Sequence, residues 1–216
     1  LLWSAGGRLI SPDGKRTEGV LNATENVEAL RQWNQLFEQG FARRSPVNPD
    51  PFGSGEAVMD WTGHWMVRSH LDTFKEDLGI MPLPRSGPRP AAAGGSWCWA
   101  MSADTPHPEL AARWLDWVLD PEHGVQPMVK ANGALPARKS AYRFFPEFDH
   151  PPLSVFRHLQ ENAARARPRT PHYPSLTRAF ASALRDIAGG AEVQARLNQA
   201  AAEVQRILDR SRRPSP

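Results

Sequence analysis

The chain has 216 residues, 40% of them hydrophobic and 23% charged. It is long enough to bury roughly 70% of its unfolded surface, which sets it apart from disordered tails, collagen-like fibres and coiled coils. The 26 basic and 23 acidic residues leave a net charge of +3 and are mixed through the same segments, so no single-sign field points to nucleic acid. The single Cys98 excludes an intrachain disulfide and a cysteine-based zinc site. No apolar run reaches the ~18 residues of a membrane-spanning helix. The opening Leu1-Leu2-Trp3-Ser4-Ala5-Gly6-Gly7 has neither Met nor a charged region before an apolar stretch, and reads as the start of a fragment or processed product.

Residues 1–21 read as a loop with a turn at Ser11-Pro12-Asp13-Gly14-Lys15. Asn22 with Glu25 suggests a capping box opening a helix that Gly40 ends, with Val27, Leu30, Trp33 or Asn34, Leu36 and Phe37 at helical spacing. Residues 42–54 form a Pro/Gly/Arg loop. Ala57–Trp61, Leu78–Pro84 and Ser96–Ser102 have the apolar character of short strands, and Gly63–Val67 turns into a short helix. Beyond about 107 the pattern is helical. Pro108 lies near a helix start, with Leu110, Trp114, Trp117 and Val118 as its apolar stripe. Further helices are expected from Pro121 to Asn132-Gly133, over 151–165, over 174–188 and over 191–209. The last carries Val193, Leu197, Ala200, Ala201, Val204 and Leu208 on one face.

Few residues carry a recognisable chemistry. The seven histidines do not cluster, and His64 and His70 lie six apart, which is not the i, i+4 spacing of a helical metal site. No GxSxG, GxGxxG, P-loop or HExxH motif occurs. Glu56 and Asp60 flank apolar residues and read as surface or helix-start groups sooner than as a glycosidase pair. No catalytic residue, metal ligand or cofactor site is assigned. The tryptophans are more informative, at eight against two tyrosines. Trp65 follows Gly63-His64, Trp97 follows Gly94-Gly95-Ser96, and Trp3 precedes Gly6-Gly7. Glycine lets a backbone approach closely, and an indole matches the C–H face of a pyranose. Trp33, Trp114 and Trp117, on helical stripes, read as packing residues.

Several of these stretches together resemble the extracellular solute-binding proteins of sugar ABC importers, the family that includes maltose-binding protein. Leu2–Gly7 with Asp13-Gly14-Lys15 and the Asn22–Leu30 helix is similar to that family's entry segment. Gly55–Met59 through Gly63-His64-Trp65 resembles its Gly/Ala/Met…Gly…Trp box. Ile80–Pro84 followed by Gly94–Trp97 resembles its proline and double-glycine segment. Asn132–Arg138 and Arg167–Pro174 resemble its later turn and proline-rich stretch.

The resemblance implies an α/β, periplasmic-binding-protein-like (type II) two-lobe fold, here mainly the second lobe with part of the first. Residues 1–93 would be the first part of the second lobe. Residues 94–150 would be a hinge strand and helical excursion belonging to the first lobe, and residues 151–216 the closing helices of the second. The function implied is capture of a sugar or oligosaccharide in an interlobe cleft, without catalysis and without a cofactor. Trp65 would stack on the sugar, with His64 beside it. Gly95 and Ser96 would lie on a hinge-side strand, Trp97 would be a second wall, Arg169 would reach hydroxyls, and Trp3 and Gly6 would line the cleft. The family's aromatic after the glycine pair is replaced here by Ser96, with the ring one residue later. Implied partners are the ABC permease subunits and the missing N-terminal half of the same protein. The implied location is periplasmic or extracellular, membrane-associated as a lipoprotein or secreted. Without that half, Trp114 and Trp117 should be more exposed than Trp33. The competing readings are a carbohydrate-active enzyme or lectin-like module using the same tryptophans, and a helical interaction domain.

Overall fold

The computed structural model describes residues 1–45 and 47–212; Pro46 of the 42–54 loop and residues 213–216 of the last expected segment lie outside the described residues. Seven α-helices occur among the described residues: Thr24–Glu38 (α1), Val67–Phe74 (α2), Pro108–Val118 (α3), Gln126–Asn132 (α4), Ser154–Asn162 (α5), Tyr173–Ala188 (α6) and Val193–Ser211 (α7). Two three-residue strands, Ala92–Gly94 (β1) and Ala164–Ala166 (β2), pair in one sheet. The chain divides into two compact units. The first holds Leu1–Pro49, Pro84–Ala93 and the chain from Arg165 onward; the second holds Asp50–Leu83 and Gly94–Ala164.

The first unit is a helical core of α1, α6 and α7. Apolar side chains recur every three to four residues on each helix, and burying those stripes against one another removes them from water. Leu197, Ala200, Ala201 and Val204 of α7 are fully buried with Leu176, Ala183 and Ile187 of α6 and Leu21 before α1. The small residues let the helix backbones approach. Glu192 caps α7, its carboxylate accepting from the N–H groups of Gln194 and Ala195 at 3.0 and 2.7 Å. Those backbone donors hold its pKa below the usual carboxylate value.

Buried polar groups fasten the N-terminal loop to this core. The Asn26 amide donates to the carbonyls of Arg8, Val20 and Leu21 at 2.7–3.0 Å. Thr17 Oγ1 donates to the Ala201 carbonyl at 2.8 Å, and its N–H to Gln205 Oε1 at 2.9 Å. The expected turn at Ser11–Lys15 is present: Gly14 N–H donates to the Ser11 carbonyl, and Ser11 Oγ accepts from the N–H groups of Lys15 and Arg16. Asn22 does not cap α1. Its Oδ1 accepts from Gly19 N–H and its amide donates to Asn198, so Ala23 precedes the helix without a side-chain cap. The buried stripe of α1 is Asn26, Val27, Ala29, Leu30 and Asn34, and Leu36 is exposed.

The second unit packs Val125, Val129, Ala141, Phe145 and Phe148 into a smaller core, with Tyr142 and Leu153 against it. Asp120 accepts from the N–H groups of Glu122 and His123, both at 2.9 Å, and starts the wide turn that leads into α4. Gly133 ends α4 in the left-handed conformation at φ 65°, which a β-carbon would disfavour. Pro108 occupies the first turn of α3 as expected.

The three expected strands at 57–61, 78–84 and 96–102 are not formed. A strand needs a partner ladder, and among the described residues these segments have none. Val58 and Met59 are exposed instead of buried. The compact units also divide the chain differently from the expected segments. Residues 50–83 fall with 94–164, and the return to the first unit comes at Arg165 instead of 151.

Candidate functional site

The expected site residues fall in two groups. His64, Trp65, Gly95, Ser96 and Trp97 belong to the second unit; Trp3, Gly6 and Arg169 belong to the first. Each group is described within its own unit.

In the second unit a short 3-10 turn, His64–Met66, leads directly into α2. Trp65 leaves this turn with 62% of its surface exposed. The His64 ring meets Trp65 edge-on, with centroids 5.5 Å apart, and Phe156 of α5 meets His64 in the same way at 6.2 Å. Burial lowers the His64 pKa from its ordinary value, and the Gly133 backbone opposes that shift in part. His64 Nδ1 is buried without a hydrogen-bond partner.

On α2, His70 is buried between Phe52 and Phe74 and reaches Asp60 Oδ2 at 3.3 Å. This contact ties the 57–63 segment to α2. Only the His70 ring lies within the aromatic cluster; Asp60 meets it from the exposed side.

Gly95, Ser96 and Trp97 lie on irregular exposed backbone, and Trp97 is almost wholly uncovered, at 99%. Trp99 packs edge-on against Trp114 of α3 at 4.9 Å. Trp114 and Trp117 are 48% and 57% exposed. Trp33, in α1, is half-buried, so the expected order of exposure holds. The apolar stripe of α3 faces water apart from Val118.

In the first unit Trp3 is half-buried at the base of a tight turn in which Gly6 N–H donates to the Trp3 carbonyl at 3.2 Å. Gly6 takes φ 90°, open to glycine at no steric cost. Ser4 beside it is buried; its hydroxyl donates to the Leu1 carbonyl at 2.7 Å and accepts from Ser86 N–H at 3.1 Å. Arg169 is exposed on the irregular stretch before α6. Its planar guanidinium offers five donors. Phe156 was missed by sequence reasoning, because it lies 92 positions from His64 and nothing local links the two. Among the described residues no cluster of three or more metal-ligating side chains occurs, and no helix is long and apolar enough to cross a membrane.

Residues 1–153 match the bacterial extracellular solute-binding protein family. The chain belongs to that family. Two solved structures share its fold. One is the cyclic α-maltosyl-1,6-maltose binding protein of Arthrobacter globiformis, 26% identical, TM-score 0.73, over 97% of this chain and 54% of that one. The other is an ABC substrate-binding protein of Listeria monocytogenes in complex with cycloalternan, 20% identical, TM-score 0.75, over 96% of this chain and 55% of that one. Curated protein sequences give no match. The fold class is therefore the periplasmic-binding-protein-like α/β class expected from the sequence. The chain spans about half the length of the solved proteins it matches. The family and both solved structures are binding proteins.

Proposed function

We propose that this chain is the C-terminal half of an extracytoplasmic solute-binding component of an ABC importer, and that the intact protein takes an oligosaccharide in a cleft between two lobes. Carrying the reading is the family match over 1–153, joined to fold likeness along 97% of the chain with a maltosyl-maltose binding protein. The α1/α6/α7 unit belongs to the second lobe. Residues 94–150 belong to the first, completed by the N-terminal half. Two observations support this. The apolar stripe of α3 lies open, and Ser96–Ser102, apolar enough for a strand, has no partner strand among the described residues.

Trp65 offers a stacking face, Trp97 a second wall and Arg169 hydroxyl-directed donors, with Trp3, Gly6, His64, Gly95 and Ser96 lining the cleft. Binding closes the lobes about the hinge, and the energy of transport comes from the ATPase that drives the permease. The protein works on the outer side of the cytoplasmic membrane, anchored or secreted, and is not an enzyme.

Calorimetric titration of the intact protein with cyclic α-maltosyl-1,6-maltose, cycloalternan and linear malto-oligosaccharides, with chromatography of the sugar afterwards, tests this. Saturable binding with unchanged sugar is expected. Cleavage would make the protein a hydrolase, and no binding to any of them would remove the oligosaccharide assignment.

A further inference from the structure

The Trp65 side chain folds back over its own chain. A β-carbon built at Gly63 would overlap three atoms of the six-membered ring of Trp65. The backbone at Gly63, φ −99° and ψ 164°, is ordinary extended geometry that any residue adopts. Torsion therefore does not require glycine here; the ring does. His64 stands edge-on to Trp65, with an interplanar angle of 78°, and Phe156 stands edge-on to His64 at 79°. The indole is thus bracketed by bare backbone and an imidazole that is itself backed by a phenyl ring. The remaining surface of the indole, well over half, is open.

We infer that Gly63 is a positioning residue for ligand: by having no side chain, it lets the Trp65 ring lie flat and fixes the tilt of the face offered to sugar. The inference rests on Trp65 being the stacking residue proposed above. The three atoms nearest to a methyl group at position 63 all belong to the ring, which can rotate away while the extended backbone stays in place. Gly63→Ala therefore acts on binding through Trp65 and leaves folding nearly untouched. A sugar face stacks only within a narrow range of ring tilt, so a rotated indole loses most of its contact.

The test is a double-mutant cycle in the intact protein with Gly63→Ala, Trp65→Ala and the double variant. Affinity is read by calorimetry with the tightest binder among cyclic α-maltosyl-1,6-maltose, cycloalternan and linear malto-oligosaccharides. The Trp65 indole N–H resonance is followed in protein labelled with ¹⁵N-tryptophan. Gly63→Ala is expected to move that resonance and weaken binding about tenfold, whereas in the Trp65→Ala background the same methyl changes affinity less than twofold. Equal weakening in both backgrounds would mean that Gly63 acts through the chain and would overturn the inference. So would an unmoved resonance while Trp65→Ala still weakens binding. Unchanged affinity in Trp65→Ala, or no binding of any of these sugars, would remove the stacking reading itself and with it the ligand role of Gly63.

Discussion

Replacing Trp65 with alanine in the intact protein separates a binding role from a packing role by magnitude. A tryptophan presents about 150–250 Å² to burial. With 62% of Trp65 exposed, about 90–150 Å² of it is free to meet a ligand. A sugar ring covers about half of that. At about 25 cal/mol per Å² the covered area contributes between about 1 and 2 kcal/mol. Stacking geometry contributes about 1 kcal/mol beyond area. Losing both weakens binding by about 2–3 kcal/mol, on the order of 30- to 150-fold. The area already covered by protein is smaller, so the fold should lose only about 1–2 kcal/mol, against about 3–5 kcal/mol for truncating a fully buried tryptophan. Titration calorimetry and thermal unfolding on the same preparation decide the matter. Normal sugar affinity with a stability loss of the buried-tryptophan size would refute the stacking role and make Trp65 a core residue.

Leu197, fully buried in α7, should cost about 2–5 kcal/mol when changed to alanine; urea unfolding of the intact protein checks this, and a loss under about 1 kcal/mol would contradict the packing described. His64 has a pKa held below its ordinary value by burial. As pH falls through about 6.5 the unfolded chain takes the proton before the native one does, so the stability that neutral His64 contributes is present above that pH and lost below it. An NMR titration of the His64 ring with its midpoint at or above 6.5 would contradict that sign. Trp114 and Trp117 should give red-shifted, water-like emission when this chain is produced alone and blue-shifted emission in the intact protein. Identical spectra would refute the proposal that the N-terminal half covers α3.

Periodicity made the helices legible because a helix is satisfied locally, and burial then follows the stripe. The face read for α7 (Val193, Leu197, Ala200, Ala201, Val204 and Leu208) is buried throughout. Strands are another matter. Ala57–Trp61 and Ser96–Ser102 have strand-like composition but need a ladder that these residues do not supply. The strands that do form, Ala92–Gly94 and Ala164–Ala166, consist of alanine, glycine and arginine, residues with little preference for extended structure. The capping role given to Asn22 failed because Gly19 N–H takes the side-chain oxygen that a cap would use, while Asn198 holds the amide. Trp65 and His64 stood out in the sequence because they follow Gly63 within two positions. The ring behind them did not, since Phe156 reaches His64 only through the fold.

The helices that enclose α1 are encoded late. Leu21 and Leu30 are covered by α6 and α7, which begin near residues 173 and 193. A ribosome adding about 5–20 residues per second needs roughly ten seconds or more to make the intervening chain. For that interval the apolar stripe of α1 is uncovered, whereas the unit around Val125 and Phe145 has all its sequence by Ala164, before α6 and α7 are made. In chain order α1 comes before every other helix, yet the helices that cover it come last.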